Sequence, residues 1–409
     1  MEPTVLIVAT LDTKEIETQY LAQLIEAHGL RTMIIDAGIL ASPQTIVPDV
    51  PREKVAEAGG SDLAEILSTG DKGYCIEVMI AGAKAVAQDL FGQGKFAGVI
   101  GFGGAQGTNI GTAVMRALPF GVPKLMVSTV ACGTATFGPF VGTKDITMMH
   151  SVVDVQGLNS LFTRVMKNAA AAISGMVKSY IGDVKEETHG KMVAMSMLGT
   201  TTPGALRAQA LLTERGYEVV AFHQNGTGGI AMEEFIQAGS FCGVLDINLH
   251  EIADRVVGGL HGAIEDYRLE SAIQAGIPLV IAPGSVCYSI QGPIDSLSPE
   301  MKKRKHIAHN PTLSLVRLTP EELRETAEII AAKVNRAQGP LKVFLPLRGC
   351  CYPNREGLEM WDPVGNEVFL NTLREKLISS VQVEEVDAHI NDPEFIDRVV
   401  MSFLEMVED

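Results

Sequence analysis

Positive charge is scarce in this 409-residue chain: 33 lysines and arginines stand against 49 aspartates and glutamates, a formal net charge of −16. So acidic a chain repels a phosphate backbone and offers no basic stripe to neutralise one, which argues against nucleic acid as a partner. Cysteine is scarce as well. The six cysteines form no CxxC pair and show no regular spacing, so reduced thiols are expected rather than a disulfide framework, with adjacent Cys350 and Cys351 packing singly as small residues. No window offers about 18 uncharged apolar residues, and a membrane span is not expected. Met1-Glu2-Pro3-Thr4 carries no basic segment, and the apolar run Val5 to Ala9 is too short for an export signal. That run reads as a buried strand, and the expected location is cytoplasmic. A Gly-x-Ser-x-Gly elbow is missing too, which leaves serine hydrolase chemistry unsupported.

What the chain has is length and apolar content. At roughly 100–200 residues per domain it has room for two or three domains. With 46% hydrophobic and 20% charged residues it can bury enough apolar surface to offset ordering entropy. The run Val5 to Ala9, the turn Thr10-Leu11-Asp12-Thr13-Lys14, a helical stretch to His28-Gly29 and the run Arg31 to Asp36 form a β–turn–α–β pattern. It returns as Met192 to Met197, Leu198-Gly199-Thr200-Thr201-Thr202, a helical stretch to Arg215-Gly216 and Tyr217 to His223. At one constant offset Leu11 matches Leu198, Thr13 matches Thr200, Leu24 matches Leu211 and Gly29 matches Gly216. Gly98-Val99-Ile100 likewise resembles Gly243-Val244-Leu245. The first copy carries a longer insertion, about Leu40 to Gly94, with a helical stretch Lys72 to Leu90, and part of it is expected to border a ligand or a partner subunit. Near-continuous apolar strands alternating with helices imply an α/β fold of two doubly wound parallel sheets. We divide the chain into 1–182, ending in a long helix about Leu158 to Tyr180, and 190–409, with the charged stretch Asp183 to Lys191 as linker.

Ligands of such sheets sit at the carboxyl ends of strands. Gly101-Phe102-Gly103-Gly104-Ala105-Gln106-Gly107-Thr108 follows one strand and opens a helix, where small residues permit close approach and free N–H groups favour a phosphate. It is neither a Walker A loop nor a Gly-x-Gly-x-x-Gly fingerprint. Thr13 and Lys14 follow the first strand, and Ser128 to Thr134, including Thr129 and Gly133, follows another. Asp145 and Asp154 are carboxylates that could hold Mg²⁺ through water. In the second half Thr200, Thr201, His223, Asn225, Gly226, Gly228 and Asp246 follow the equivalent strands. With His309 they suggest a hydroxylated or carboxylated small molecule. His250-Glu251-Ile252-Ala253-Asp254 resembles a His-Glu-x-x-His zinc helix without its second histidine, so a zinc site is not the expectation.

The runs Gly103 to Thr108, Leu118-Pro119-Phe120-Gly121-Val122-Pro123-Lys124-Leu125, Val127 to Gly133 and Ser151 to Asn159, with Phe222 to Glu233 and His309-Asn310-Pro311, resemble the ATP-binding family of the tomato mosaic virus resistance protein. The resemblance covers nearly the whole chain. It implies two Rossmann-like domains facing a cleft, a homodimer, and ATP in the first domain on Thr13-Lys14, Gly103 to Thr108 and Ser128 to Gly133. It also implies that the chain lacks the C-terminal barrel of the plant protein. Cys287-Tyr288-Ser289-Ile290 and Cys350-Cys351-Tyr352-Pro353-Asn354 depart from the family pattern, so the second pocket is not expected to copy the family site. Three readings follow: an ATP-dependent enzyme of phosphoryl transfer or ligation acting on a small metabolite, a non-catalytic ATP and metabolite sensor, and a nucleotide-independent small-acid-binding protein.

Overall fold

A computed structural model describes residues 3–131, 138–182 and 191–408. The chain divides into two compact units, Met1–Glu186 and Glu187–Asp409. In the first, β1 (Thr4–Ala9), α1 (Leu11–Ala27) and β2 (Arg31–Asp36) are followed by α2 (Arg52–Ala58), α3 (Leu63–Ser68) and α4 (Lys72–Gly92). Then come β3 (Gly98–Gly103), α5 (Ala105–Ala117), β4 (Lys124–Ser128), α6 (Gly138–Val141), β5 (Thr147–His150) and α7 (Ser160–Gly182). The strands form one parallel sheet in the order β2-β1-β3-β4-β5.

Alternation along β1 shows why the sheet is covered on both faces. Leu6 and Val8 enter one core with Val55, Met79 and Ile110, whereas Val5, Ile7 and Ala9 enter another with Phe162, Met166 and Ile173 of α7. Each large side chain so buried contributes about 1.5–3 kcal/mol. The insertion expected to hold one helix holds three. Asp71 caps the last of them, its carboxylate accepting from Tyr74 N at 3.1 Å, and so places Lys72 at the start of α4.

The second unit repeats the plan with β6 (Lys191–Met197), α8 (Thr202–Glu214), β7 (Tyr217–His223), α9 (Thr227–Gln237), β8 (Gly243–Asp246), α10 (His250–Val257), α11 (Ser271–Ala275) and β9 (Leu279–Ile281). It continues with β10 (Tyr288–Gln291), α12 (Pro299–Lys302), β11 (His306–Asn310), β12 (Leu313–Arg317), α13 (Pro320–Val334), β13 (Leu341–Pro346), α14 (Pro363–Lys376), β14 (Gln382–Val386) and α15 (Pro393–Glu408). Its parallel sheet runs β14-β13-β9-β8-β6-β7. Read from the other edge, β7-β6-β8-β9-β13 matches β2-β1-β3-β4-β5. Alternation recurs, with Val244 on one face of β8 and Leu245 on the other. A three-stranded antiparallel sheet, β10-β12-β11, is an addition that the repeat pattern did not reveal.

Candidate functional site

In the first unit the turns after β1 and β3 meet. A cavity of about 240 Å³ is lined by Thr10, Asp12, Thr13, Lys14, Lys72 and the run Gly103 to Gly107, with Ile39 and Leu40 at its side. Sequence order separates these residues widely; the parallel register of β1 with β3 brings them to one edge. Helix α1 leaves helical geometry at Lys14 (φ −131°, ψ 27°), and Thr18 Oγ1 donates to the Lys14 carbonyl at 2.6 Å. Gly104 precedes α5 with no side-chain cap on the helix. A Cβ built there meets nothing nearer than Thr129 Oγ1 at 3.8 Å, so the space in front of this helix start is open. At Gly103 the φ is 158° and a Cβ would lie 3.0 Å from Gly107 Cα, so this glycine serves the turn itself.

Lys72, which the sequence motifs passed over, adds a second cation from the insertion. Two carboxylates hold that insertion against the rim. Asp12 Oδ2 accepts from Ile39 N at 2.9 Å and Leu40 N at 2.8 Å. Glu15 Oε1 accepts from Gln44 N at 2.8 Å, from Ile46 N at 2.7 Å and from Thr45 N and Oγ1. Desolvation alone would raise the Glu15 pKa; the backbone donors of Thr45, Gln44 and Ile46 outweigh it and lower the value to about 2.

Other expected ligand residues are placed elsewhere. Thr108 and Ser128 are fully buried. Thr108 Oγ1 lies 2.7 Å from Ser128 Oγ and donates to the Gly104 carbonyl at 2.8 Å, and Ser128 Oγ accepts from Val130 N. They brace the glycine turn from behind instead of facing the cavity. Asp145 lies at the amino edge of the sheet, where it takes the buried Lys124 Nζ at 2.8 Å and Gly121 N at 2.9 Å. A metal role for it at the opposite edge is therefore corrected. Asp154 is exposed after β5 and is not among the cavity's lining. Gly133 lies outside the described residues, as does nearly all of the proposed linker.

The second unit fills the matching edge with its own side chains. Arg268, in the segment between α10 and α11, is buried at 1% exposure among three carboxylates. It pairs bidentately with Asp246 (2.6 and 2.9 Å) and reaches Glu251 at 3.0 Å, Glu233 at 3.2 Å and Gln224 Oε1 at 2.7 Å. Burial opposes the Arg268 charge, but Asp246, then Glu251 and Glu233, raise its pKa. One guanidinium cannot compensate three carboxylates, and burial raises Glu251 to about 7 against Arg268 and its N–H donors. Asp246, expected to touch a substrate, is thus an internal anchor, also held by Ser196 Oγ at 2.7 Å.

The neighbouring residues follow the same pattern. Glu251 Oε1 accepts from Gly226 N and Gly229 N, which caps α9 from within, and a Cβ on Gly228 would collide with the His223 carbonyl at 1.8 Å. These glycines permit close approach of the protein to itself, not to a ligand. Asn225 Oδ1 accepts from Gly228 N at 3.2 Å as part of the same cap. Thr200 Oγ1 bonds Ser285 Oγ at 2.7 Å and Tyr288 OH at 2.9 Å. Thr201 Oγ1 accepts from Asn248 Nδ2 at 2.9 Å. His223 and His309 remain exposed.

The cysteines also depart from expectation. Cys287, Cys350 and Cys351 are buried with their sulfurs within 4.8 Å of one another, Cys287 and Cys351 at 3.2 Å. Roomier hollows exist, about 590 Å³ between α13 and α14 and about 470 Å³ beside the amino ends of β9 and β13, but both lie away from the strand carboxyl ends. Among the described residues no helix is long and apolar enough to cross a membrane.

Two parallel sheets, of five and six strands, each covered by helices on both faces, define an α/β protein of two Rossmann-like domains. The chain belongs to the uncharacterised protein family UPF0261, whose N-terminal domain matches residues 3–182 and whose C-terminal domain matches 190–407. A UPF0261 protein of Clostridium tetani is 39% identical over 409 residues, spanning 100% of both chains. One of Rhizobium meliloti is 36% identical over 400 residues, 97% of each chain. The ToMV susceptible protein tm-1(GCR26) of Solanum lycopersicum is 37% identical over 340 residues, which is 82% of this chain and 45% of that protein.

Proposed function

We propose that this chain binds ATP in its first unit, with the phosphates resting in the cavity between the Thr10–Lys14 turn and the start of α5. One observation carries the reading: an uncapped helix start and two lysines, Lys14 and Lys72, line the same 240 Å³ space. Backbone N–H groups at a helix start and ammonium groups are the donors that phosphate oxygens need. The family resemblance, carried by Gly103 to Thr108 and the Ser128 to Gly133 run, points to the same nucleotide.

The cavity lining holds a single carboxylate, Asp12, which is too few to build a protein-held Mg²⁺ site. Asp12 Oδ2 accepts from Ile39 N and Leu40 N, and Asp145 is at the other edge of the sheet. In this reading Mg²⁺ enters on the nucleotide's phosphates, its common way of binding. Lys14 and the α5 N–H groups then offset phosphate charge, a role that serves tight binding as well as phosphoryl transfer.

The reading favoured here is nucleotide binding coupled to a small metabolite, with turnover as the second question. Calorimetry with ATP and with adenosine on the full chain tests the first: ATP should bind more tightly, and Lys14→Ala should remove most of that advantage. Equal affinity for both ligands would reject the phosphate site. ADP release driven by metabolites that co-purify with the chain tests the second, and sedimentation with and without ATP tests the homodimer that the resemblance implies.

A further inference from the structure

The zinc-helix spacing set aside for want of a second histidine is completed in space by a residue outside it. His250 and Asp254 lie one turn apart on α10, and His261 follows in the segment after the helix. One ligand atom from each lies within 4.8 Å of the other two. His250 Nε2 is 4.0 Å from Asp254 Oδ1, and the two imidazole rings meet edge to face with centroids 5.3 Å apart.

The hydrogen bonds of His250 determine which nitrogen is free. Its Nδ1 lies 3.1 Å from the Ser285 carbonyl oxygen. A carbonyl only accepts, so Nδ1 carries the proton and the Nε2 lone pair points elsewhere. That atom is buried, His250 being 0% exposed, and it has no hydrogen-bond partner; His261 Nδ1 is likewise buried without one. Two orphaned imidazole nitrogens beside one carboxylate are costly in a folded protein unless something joins them. Metal-binding histidines commonly donate from their far nitrogen to a backbone carbonyl in this way, which fixes the ring and its tautomer.

Two further observations agree. Ser285, which presents that carbonyl, is held at φ 58°, a conformation costly for a residue with a Cβ. Asp254 Oδ1 accepts from Ile290 N and Oδ2 from His261 N, and the Ser289 hydroxyl bonds the same carboxylate, which fixes it and leaves one of its four lone-pair positions.

We propose that His250 Nε2, His261 Nδ1 and a carboxylate oxygen of Asp254 form a binding site for a divalent transition metal of the zinc class. Two imidazoles and one carboxylate suit such an ion in charge and softness. Ligand atoms about 2.1 Å from a tetrahedral centre are about 3.4 Å apart, so binding draws these side chains together by roughly an ångström. Three protein ligands leave a fourth position for water or substrate. Glu251, which a zinc protease would use as its base, has both oxygens engaged by Arg268, Gly226 and Gly229, so peptide hydrolysis of that type is not implied.

The test is independent of ATP. The full chain, stripped with chelator, is titrated with Zn²⁺ against a chromophoric competitor and, separately, with Co²⁺. One equivalent of zinc is expected, with a cobalt spectrum showing d–d bands and no thiolate charge-transfer band. His261→Ala, the least buried ligand, should weaken zinc at least tenfold and abolish the rise in melting temperature that zinc gives the parent, while circular dichroism stays native. Asp254→Asn is the second variant should His261→Ala fold poorly. Failure of the parent to bind equimolar zinc overturns the proposal. So does binding untouched by both variants, or a thiolate band lost in Cys287→Ser, which would move the metal to the three-cysteine cluster.

Discussion

The turns after β1 and β3 in the first unit occupy the same places as those after β6 and β8 in the second, yet one edge is open and the other is filled. In the register of the repeat, Gly103, Gly104 and Ala105 stand where Asn248, Leu249 and His250 stand, all three of the latter buried. Thr13 lines a cavity, whereas its counterpart Thr200 is bonded to Ser285 and Tyr288. The shared backbone plan delivers helix starts and strand ends to an edge in both units. Side-chain volume then decides whether those groups are left for an external ligand or satisfied by the protein.

The comparison breaks most visibly at Arg268. Arg268→Met leaves Asp246, Glu233 and Glu251 buried without their cation and should cost about 3–5 kcal/mol in urea unfolding. A loss below about 1 kcal/mol would mean that the filled edge is not held by this charge cluster. Next in size is the open edge. Gly104→Val has room on the protein side and projects bulk toward the ligand, and Lys14→Ala removes a charge-assisted bond worth about 1.5–3 kcal/mol. Each should lower ATP affinity about tenfold or more with circular dichroism unchanged; parental affinity in both variants would end the assignment. Thr200→Val sharpens the contrast from the filled side, with a stability loss of about 1 kcal/mol and unaltered ATP binding. A change in ATP affinity there would contradict the separation of roles.

The smallest effect is expected at Glu15, and it depends on pH. Its folded pKa of about 2 lies below the ordinary 4.5. Its contribution is therefore complete above pH 4.5 and lost as pH falls toward 2. Glu15→Gln should flatten that part of the acid stability profile and speed hydrogen exchange at Gln44, Thr45 and Ile46. Exchange as slow as in the parent would show that the carboxylate is dispensable there.

Much of the fold was legible because parallel strands buried on both faces leave unbroken apolar runs, and because Leu11, Thr13, Leu24 and Gly29 recur as Leu198, Thr200, Leu211 and Gly216. The open edge was legible from glycines after a strand. Arg268 was not, since its partners lie 17 to 44 residues away on separate elements and no local spacing marks them. His261 escaped for a related reason: it completes a helical pair from outside the helix, where periodicity has nothing to say. Hydroxyls were misjudged in the other direction. Thr108 and Ser128 resemble ligand donors in sequence but turn inward, because a turn built on glycines needs a support that can hydrogen-bond its carbonyls.

Lys72 reaches the first-unit cavity on the chain between β2 and β3, where α2, α3 and α4 stand against the single helix α9 of the second unit. The sheet and the turns at its carboxyl edge belong to the repeated plan; the second cation sits on added chain whose Val55 and Met79 also share a core with Leu6 and Val8 of β1. Lys72 itself is exposed at the head of α4, so its charge can change without disturbing a core residue, whereas the apolar face of the same helix cannot. Cavity charge and core packing are therefore carried by different residues of one segment, Lys72 for the first and Val78, Met79 and Ala83 for the second.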